Sequence, residues 1–210
     1  MKFKQGDSID VQHCAALQHE FLRCHDAYID FVTVATSTIA VGDSSLSSYR
    51  MFNAYARFLH HLYEFMVGAL VREHGDTSVA TKRGAYTLIE RYITGHAMRL
   101  LKNKREAIER AQVPGWQSAL AGLPASVPAD FAAEFRKHRN TMAGHVKYER
   151  ASLKLSEFFD RFQFFMFILY RDCYSWWGRT GGVIPDLGEI TRFSVLVRQQ
   201  AGSLQTGQTP

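Results

Sequence analysis

Cysteine is scarce in this 210-residue chain, at three residues, and the scarcity excludes two things. Cys14, Cys24 and Cys173 match no zinc-ligand spacing, and an odd number closes no disulfide framework, so they read as reduced thiols of a cytoplasmic protein. Long apolar runs are also missing. The most apolar stretch, Phe162 to Tyr170, sits between Asp160-Arg161 and Arg171-Asp172 and is too short to span a bilayer, so no membrane partner is expected. The opening MKFKQGDSID lacks the apolar segment of a secretory signal. Alternating strands and hairpin turns are absent ahead of the C-terminal tail, which leaves the helical period as the organising signal.

What is present is apolar content of 46%, enough for one sizeable core, together with a net charge of +5 and a pI near 9.2. The basic balance is compatible with a polyanionic partner, because lysine and arginine near phosphates release counterions. The chain reads as all-α, a bundle of about five helices over residues 1–180 with a partly flexible C-terminal extension over 181–210. The first helix opens near Ser8 or Asp10. The β-branched tract after Phe31 weakens its helical pattern, and Gly42-Asp43-Ser44-Ser45 ends it. A second helix starts near Ser47 or Ser48 and stops at Gly75, and a third is expected from about Ser78 to Arg110. Pro114-Gly115, Gly122 and Pro124 mark a loop pinned by Trp116. A fourth helix is expected from Pro128 to Ala143 and a fifth, rich in aromatics, from about Arg150 to Trp177.

Between the last two helices lies Phe131 to Tyr148, FAAEFRKHRNTMAGHVKY, which gathers Arg139, Asn140 and His145. A guanidinium, an amide and an imidazole suit work on a phosphate ester. Histidine titrates near neutrality, and the arginine fork can stabilise charge building on phosphorus. On an unbroken helix His145, six positions on, would point roughly 120° away from Arg139. Convergence within one subunit therefore demands that the helix end near Gly144, a residue that readily takes the left-handed conformation. Such a route needs no metal and no cofactor.

The run Arg139-Asn140, four residues, then His145, between two helices of a small all-α domain, resembles the signature of the HEPN superfamily. The stretch YARFLHHLYEF, Tyr55 to Phe65, is similar to the second helix of its abortive-infection-like members. The likeness covers residues 8 to 178 in architecture and seven residues in specific motif. It implies a metal-independent ribonuclease cutting RNA through the 2′-hydroxyl. Such proteins serve as toxins or phage-defence effectors, with a site formed where two copies meet in a homodimer and with a nucleotidyltransferase-type antitoxin as partner. By position, Arg139 and His145 would be catalytic and Asn140 supporting, with His61 or Glu64 from the second helix behind them and Lys147 and Tyr148 on the substrate side. A non-catalytic HEPN-like scaffold that binds nucleotide or a protein partner is the alternative.

Other constellations carry bland readings beside sharp ones. His60, His61 and Glu64 share helical spacing with metal ligands, although His19, Glu20 and His25 are only loosely suited to complete a site, and half-buried polar residues on a packing face account for them. Lys82, Arg83, Lys102, Lys104, Arg105 and Arg110 fit either a phosphate-tracking surface or a solvated helix face. Arg136, Lys137, His138 and Lys147 would concentrate an anion beside Arg139 or form a solubilising rim. The aromatics from Phe158 to Trp177 exceed one helical face, so the last helix is expected to be buried or to meet a second copy.

Overall fold

The computed structural model describes residues 1–114, 122–144, 148–178 and 199. Among the described residues five α-helices make an all-α bundle: α1 (Ser8–Val41), α2 (Ser45–His74), α3 (Ala85–Glu109), α4 (Phe131–Arg139) and α5 (Leu155–Trp177). Among the described residues the only extended pairing is an isolated bridge, Lys2 with Asp76, and no helix is long and apolar enough to cross a membrane. Trp116 and the C-terminal extension, apart from Gln199, lie outside the described residues.

Local chemistry sets the ends of the α1–α2 hairpin. Asp7 caps α1, its carboxylate accepting from the backbone N–H groups of Ile9 and Asp10 at 2.9 Å. Gly42, at φ 98°, ends it. Ser44 and Ser47 then form a reciprocal capping box at 3.0 and 2.8 Å, and Gly75 closes α2 in the left-handed conformation at φ 58°. The β-branched tract after Phe31 stays helical to Val41. Its hydroxyls bond back to carbonyls one turn earlier, Ser37 to Thr33 and Thr38 to Val34, both at 2.9 Å, so they do not draw the backbone away from the helix.

The third helix starts later than its period implies. Thr77–Ala80 form a 3-10 turn capped by Asp76, and Gly84, at φ 80°, turns the chain into α3. Pro128 likewise precedes α4 as part of a turn, with the Phe131 N–H donating to its carbonyl at 3.1 Å. Tyr148–Ser152 form a second 3-10 turn ahead of α5.

Helix α2 is the centre of the core. Its Leu59, Leu62 and Met66 are 0–1% exposed, and they pack among Phe21 and Cys24 of α1, Ile93 of α3 and Phe135 of α4. Helix α4 is short but anchored. Phe131 packs against Phe162 and Phe165 of α5 with centroids 5.6 and 5.4 Å apart, and Phe135 meets the edge of Tyr63 at 5.3 Å. Burying two phenylalanines contributes about 1.5–3 kcal/mol each, far more than helix propensity supplies over nine residues. That anchoring fixes the direction from which Arg139 enters the body.

Candidate functional site

The α-helical winding stops at Arg139, and the chain continues as a π-helical turn, Asn140–Gly144. The change comes earlier than the break anticipated at Gly144. The π-turn keeps both Thr141 and Met142 buried, at 5% and 4% exposure. The Arg150 Nε donates to the Thr141 carbonyl at 3.1 Å, tying this turn to the segment that leads into α5. His145, Val146 and Lys147 lie outside the described residues.

Arg139 projects onto α2. One terminal nitrogen donates to the Glu64 carboxylate, and the other donates to Asn140 Oδ1 at 2.7 Å. The guanidinium carbon stands 5.3 Å from the Tyr63 ring centroid, in cation–π range. Its Nε is enclosed without a partner among the described residues, the sort of buried donor that calls for a functional or structural reason. The structure thus brings together Glu64, Arg139 and Asn140. Tyr148 is 90% exposed at the start of its 3-10 turn.

His61 goes elsewhere. It is buried, and its Nδ1 donates to Glu20 on α1 at 2.7 Å. One helical step of about 100° separates adjacent residues, so when His61 faces α1 its neighbour His60 faces the side that Glu64 occupies four residues on. His60 therefore lines the cleft with Arg139, where the sequence pattern gave it as a metal ligand or, in the plainer reading, a half-buried polar residue on a packing face. The signal that finds it is the i,i+4 relation to Glu64. Among the described residues no group of three or more His, Cys, Asp or Glu side chains has the arrangement to hold a metal ion.

The cleft, about 420 Å³, opens between α1 and α2 with Arg139 at one side. Its polar lining comprises His13, Glu20, Arg23, His60, Glu64 and Arg139, and its apolar lining includes Leu17. His13 Nε2 donates to the Gly68 carbonyl at 2.8 Å, which assigns the proton to that nitrogen, since a carbonyl only accepts. Burial works against the Glu20 charge, but the His61 hydrogen bond and the nearby positive charges outweigh it, and its pKa lies below the ordinary carboxylate range. Burial, then the Arg139 charge, push the His60 ring below the ordinary histidine range, so it is neutral at neutral pH. Two carboxylates and two guanidinium groups leave the cleft balanced in charge.

The positive rim expected around the site is largely internally paired. Arg136 bonds Glu90 at 2.7 Å and lies over Tyr86, and Lys137 pairs with Glu134 at 3.1 Å. His138 is not on a rim at all. It is 4% exposed, donates from Nδ1 to the Glu134 carbonyl at 2.8 Å, and stacks on Phe158 at 4.2 Å. On α3, Lys102 and Arg110 both pair with Glu106, and Arg105 donates to the carbonyls of Pro124 and Ala125, so these side chains largely serve the fold. Compared with protein-family models, with curated proteins and with solved structures, the chain matches none.

Proposed function

We propose that this chain is a metal-independent ribonuclease of the HEPN type, acting as a homodimer in the cytoplasm as a toxin or phage-defence effector. The observation that carries the reading is the placement of Arg139. It stands at the last α-helical residue before a π-turn that leads to His145, and it is held by Glu64 and Asn140 beside a cleft large enough for a nucleotide fragment.

In this reading His145 exchanges a proton with the reacting RNA, and the Arg139 guanidinium stabilises the negative charge that builds on the phosphorane. Glu64 and Asn140 fix the fork of Arg139, so its orientation is set before substrate arrives. The 2′-oxygen attacks phosphorus and the 5′-oxygen leaves, giving a 2′,3′-cyclic phosphate and a 5′-hydroxyl. A nucleotidyltransferase-type antitoxin is a partner compatible with this reading. RNA cleavage in excess EDTA by the wild-type protein, Arg139→Ala and His145→Ala tests it. Cleavage by the wild type alone is the expected result, and equal behaviour of all three preparations sinks the assignment.

One observation favours a second reading. Glu64 already neutralises Arg139, and the cleft carries balanced charge, which suits a non-catalytic scaffold that binds nucleotide or a protein partner. That reading predicts no growth arrest on induced expression and unchanged binding in His145→Ala. The ribonuclease reading predicts arrest that His145→Ala relieves.

A further inference from the structure

His60 is the ionisable group of the Arg139 cleft that the mechanism above does not use. It precedes Glu64 by one helical turn on the same face of α2, about 6 Å along the axis, and Glu64 is the residue that bonds the Arg139 guanidinium. His60, Glu64 and Arg139 line one cavity of about 420 Å³. Five other histidines are committed by hydrogen bonds: His13 to the Gly68 carbonyl, His25 to the Tyr170 hydroxyl, His61 to Glu20, His96 to Asp172 and His138 to the Glu134 carbonyl. His60 has no hydrogen-bond partner among the described residues, and its Nδ1 is enclosed. With Nδ1 enclosed, Nε2 is the nitrogen of this cleft-wall imidazole left to exchange a proton with a ligand.

From this placement we infer that His60 is a second acid–base residue of the Arg139 site, taking the 2′-hydroxyl proton of an RNA substrate within the subunit that supplies Arg139. The inference rests on the ribonuclease reading. As the O2′–P bond forms, the 2′-hydroxyl proton passes to the His60 imidazole. As the P–O5′ bond breaks, the departing oxygen takes a proton from the His145 imidazolium. One histidine gains the proton that the other loses, no oxidant or metal enters, and the cyclic phosphate keeps the single negative charge of the diester.

The groups facing His60 agree with the base role. From α2 these are the His61 ring, 5.1 Å away and edge-on, and Glu64. Glu20 and Arg23 face the same cleft from α1, and Arg139 from α4. Burial, Arg139 and His61 disfavour the imidazolium more than Glu64 and Glu20 favour it, so the ring is in the proton-accepting form at neutral pH.

The test is the pH dependence of RNA cleavage in EDTA, over about pH 5 to 8, by the wild type, His60→Gln and His145→Ala. His60→Gln is expected to lower kcat by about 10²- to 10⁴-fold with KM little changed, and to abolish the decline in rate on the acid side. Wild-type cleavage that His145→Ala abolishes, while His60→Gln keeps the wild-type rate and acid limb, overturns the His60 role alone. Absence of cleavage by the wild-type protein overturns the ribonuclease reading together with it. If His60→Gln does not fold, histidine-labelled wild-type protein is titrated with a 2′-deoxy oligonucleotide and followed by NMR. The His60 ring signals are expected to shift at saturation, and unmoved signals overturn the assignment.

Discussion

Arg139 spans two elements with one side chain: it donates to Glu64 on α2 and, at 2.7 Å, to the amide oxygen of its own neighbour Asn140. The fork makes both bonds at once, and the Tyr63 ring lies beside it. A lysine carries the charge but not the planar pair of donors. Arg139→Lys is therefore expected to lower RNA cleavage by at least about 100-fold and stability by about 1 kcal/mol, read by initial rates and by urea denaturation. Cleavage within a few-fold of wild type would show that charge alone suffices.

Asp10 anchors the start of α1 to the end of α2. Its carboxylate accepts from Arg72 at 2.8 and 3.2 Å and from the Gly6 N–H at 2.8 Å, and these bonds hold its pKa down to about 2 from the ordinary 3.8. A depressed carboxylate stabilises the fold above its unfolded value and loses that contribution as pH falls through the folded value. Asp10→Asn should be less stable than wild type at neutral pH, with the gap closing between about pH 4 and 2 in thermal melts. A gap independent of pH would contradict the ion pair's role.

His138 has the same sign for a different reason, since here it is the neutral form that the fold favours. Burial against Phe158 pushes its pKa below the ordinary histidine value of 6.5, so the unfolded chain takes up a proton that the folded one resists. Stability contributed by the neutral ring is complete above 6.5 and falls as pH drops toward the folded value. Denaturation at about pH 7.5 and 5.5 should show a smaller loss for His138→Phe than for wild type. Equal losses would show that His138 does not carry this dependence.

Glycines separate sharply by what a methyl group would meet. At Gly75, with φ 58°, a Cβ would stand 2.5 Å from the Phe3 carbonyl oxygen, and the Phe3 N–H bonds the Gly75 carbonyl at 2.8 Å. Gly95 lies inside α3 with nothing within 4 Å of such a Cβ. Gly75→Ala should cost about 2 kcal/mol, and Gly95→Ala should stabilise by about 0.5–1 kcal/mol, both read by denaturant midpoints. Equal effects would contradict the packing at the N-terminal segment.

The hairpin of α1 and α2 was legible in sequence from the glycines that end its helices, Gly42 and Gly75, whereas the caps that open them, Asp7 and Ser44, lie ahead of the expected Ser8 or Asp10 and Ser47 or Ser48. Where tertiary context decides, the pattern was insufficient. Thr77 to Gly84 carries helical residue types, yet the Asp76 cap and the Gly84 turn divide it from α3. The π-turn after Arg139 has no sequence signature of its own, so the end of α4 was placed too late. In the site, the pairing of Arg139 with Asn140 followed from residue type and spacing, and Glu64 only as one of two options with His61. The choice between His60 and His61 did not, because adjacent residues differ by about 100° in direction and only the position of Glu20 on α1 resolves which one faces the cleft.

In the proposed function the Arg139 site cuts RNA with the RNA's own 2′-hydroxyl. The most direct measurement compares an RNA oligonucleotide with its fully 2′-O-methylated counterpart in excess EDTA, with the product termini identified by mass spectrometry. Cleavage of the RNA alone is expected, with 2′,3′-cyclic phosphate and 5′-hydroxyl ends, and its loss in Arg139→Ala. Cleavage of the methylated strand, or products bearing 5′-phosphates, would contradict it.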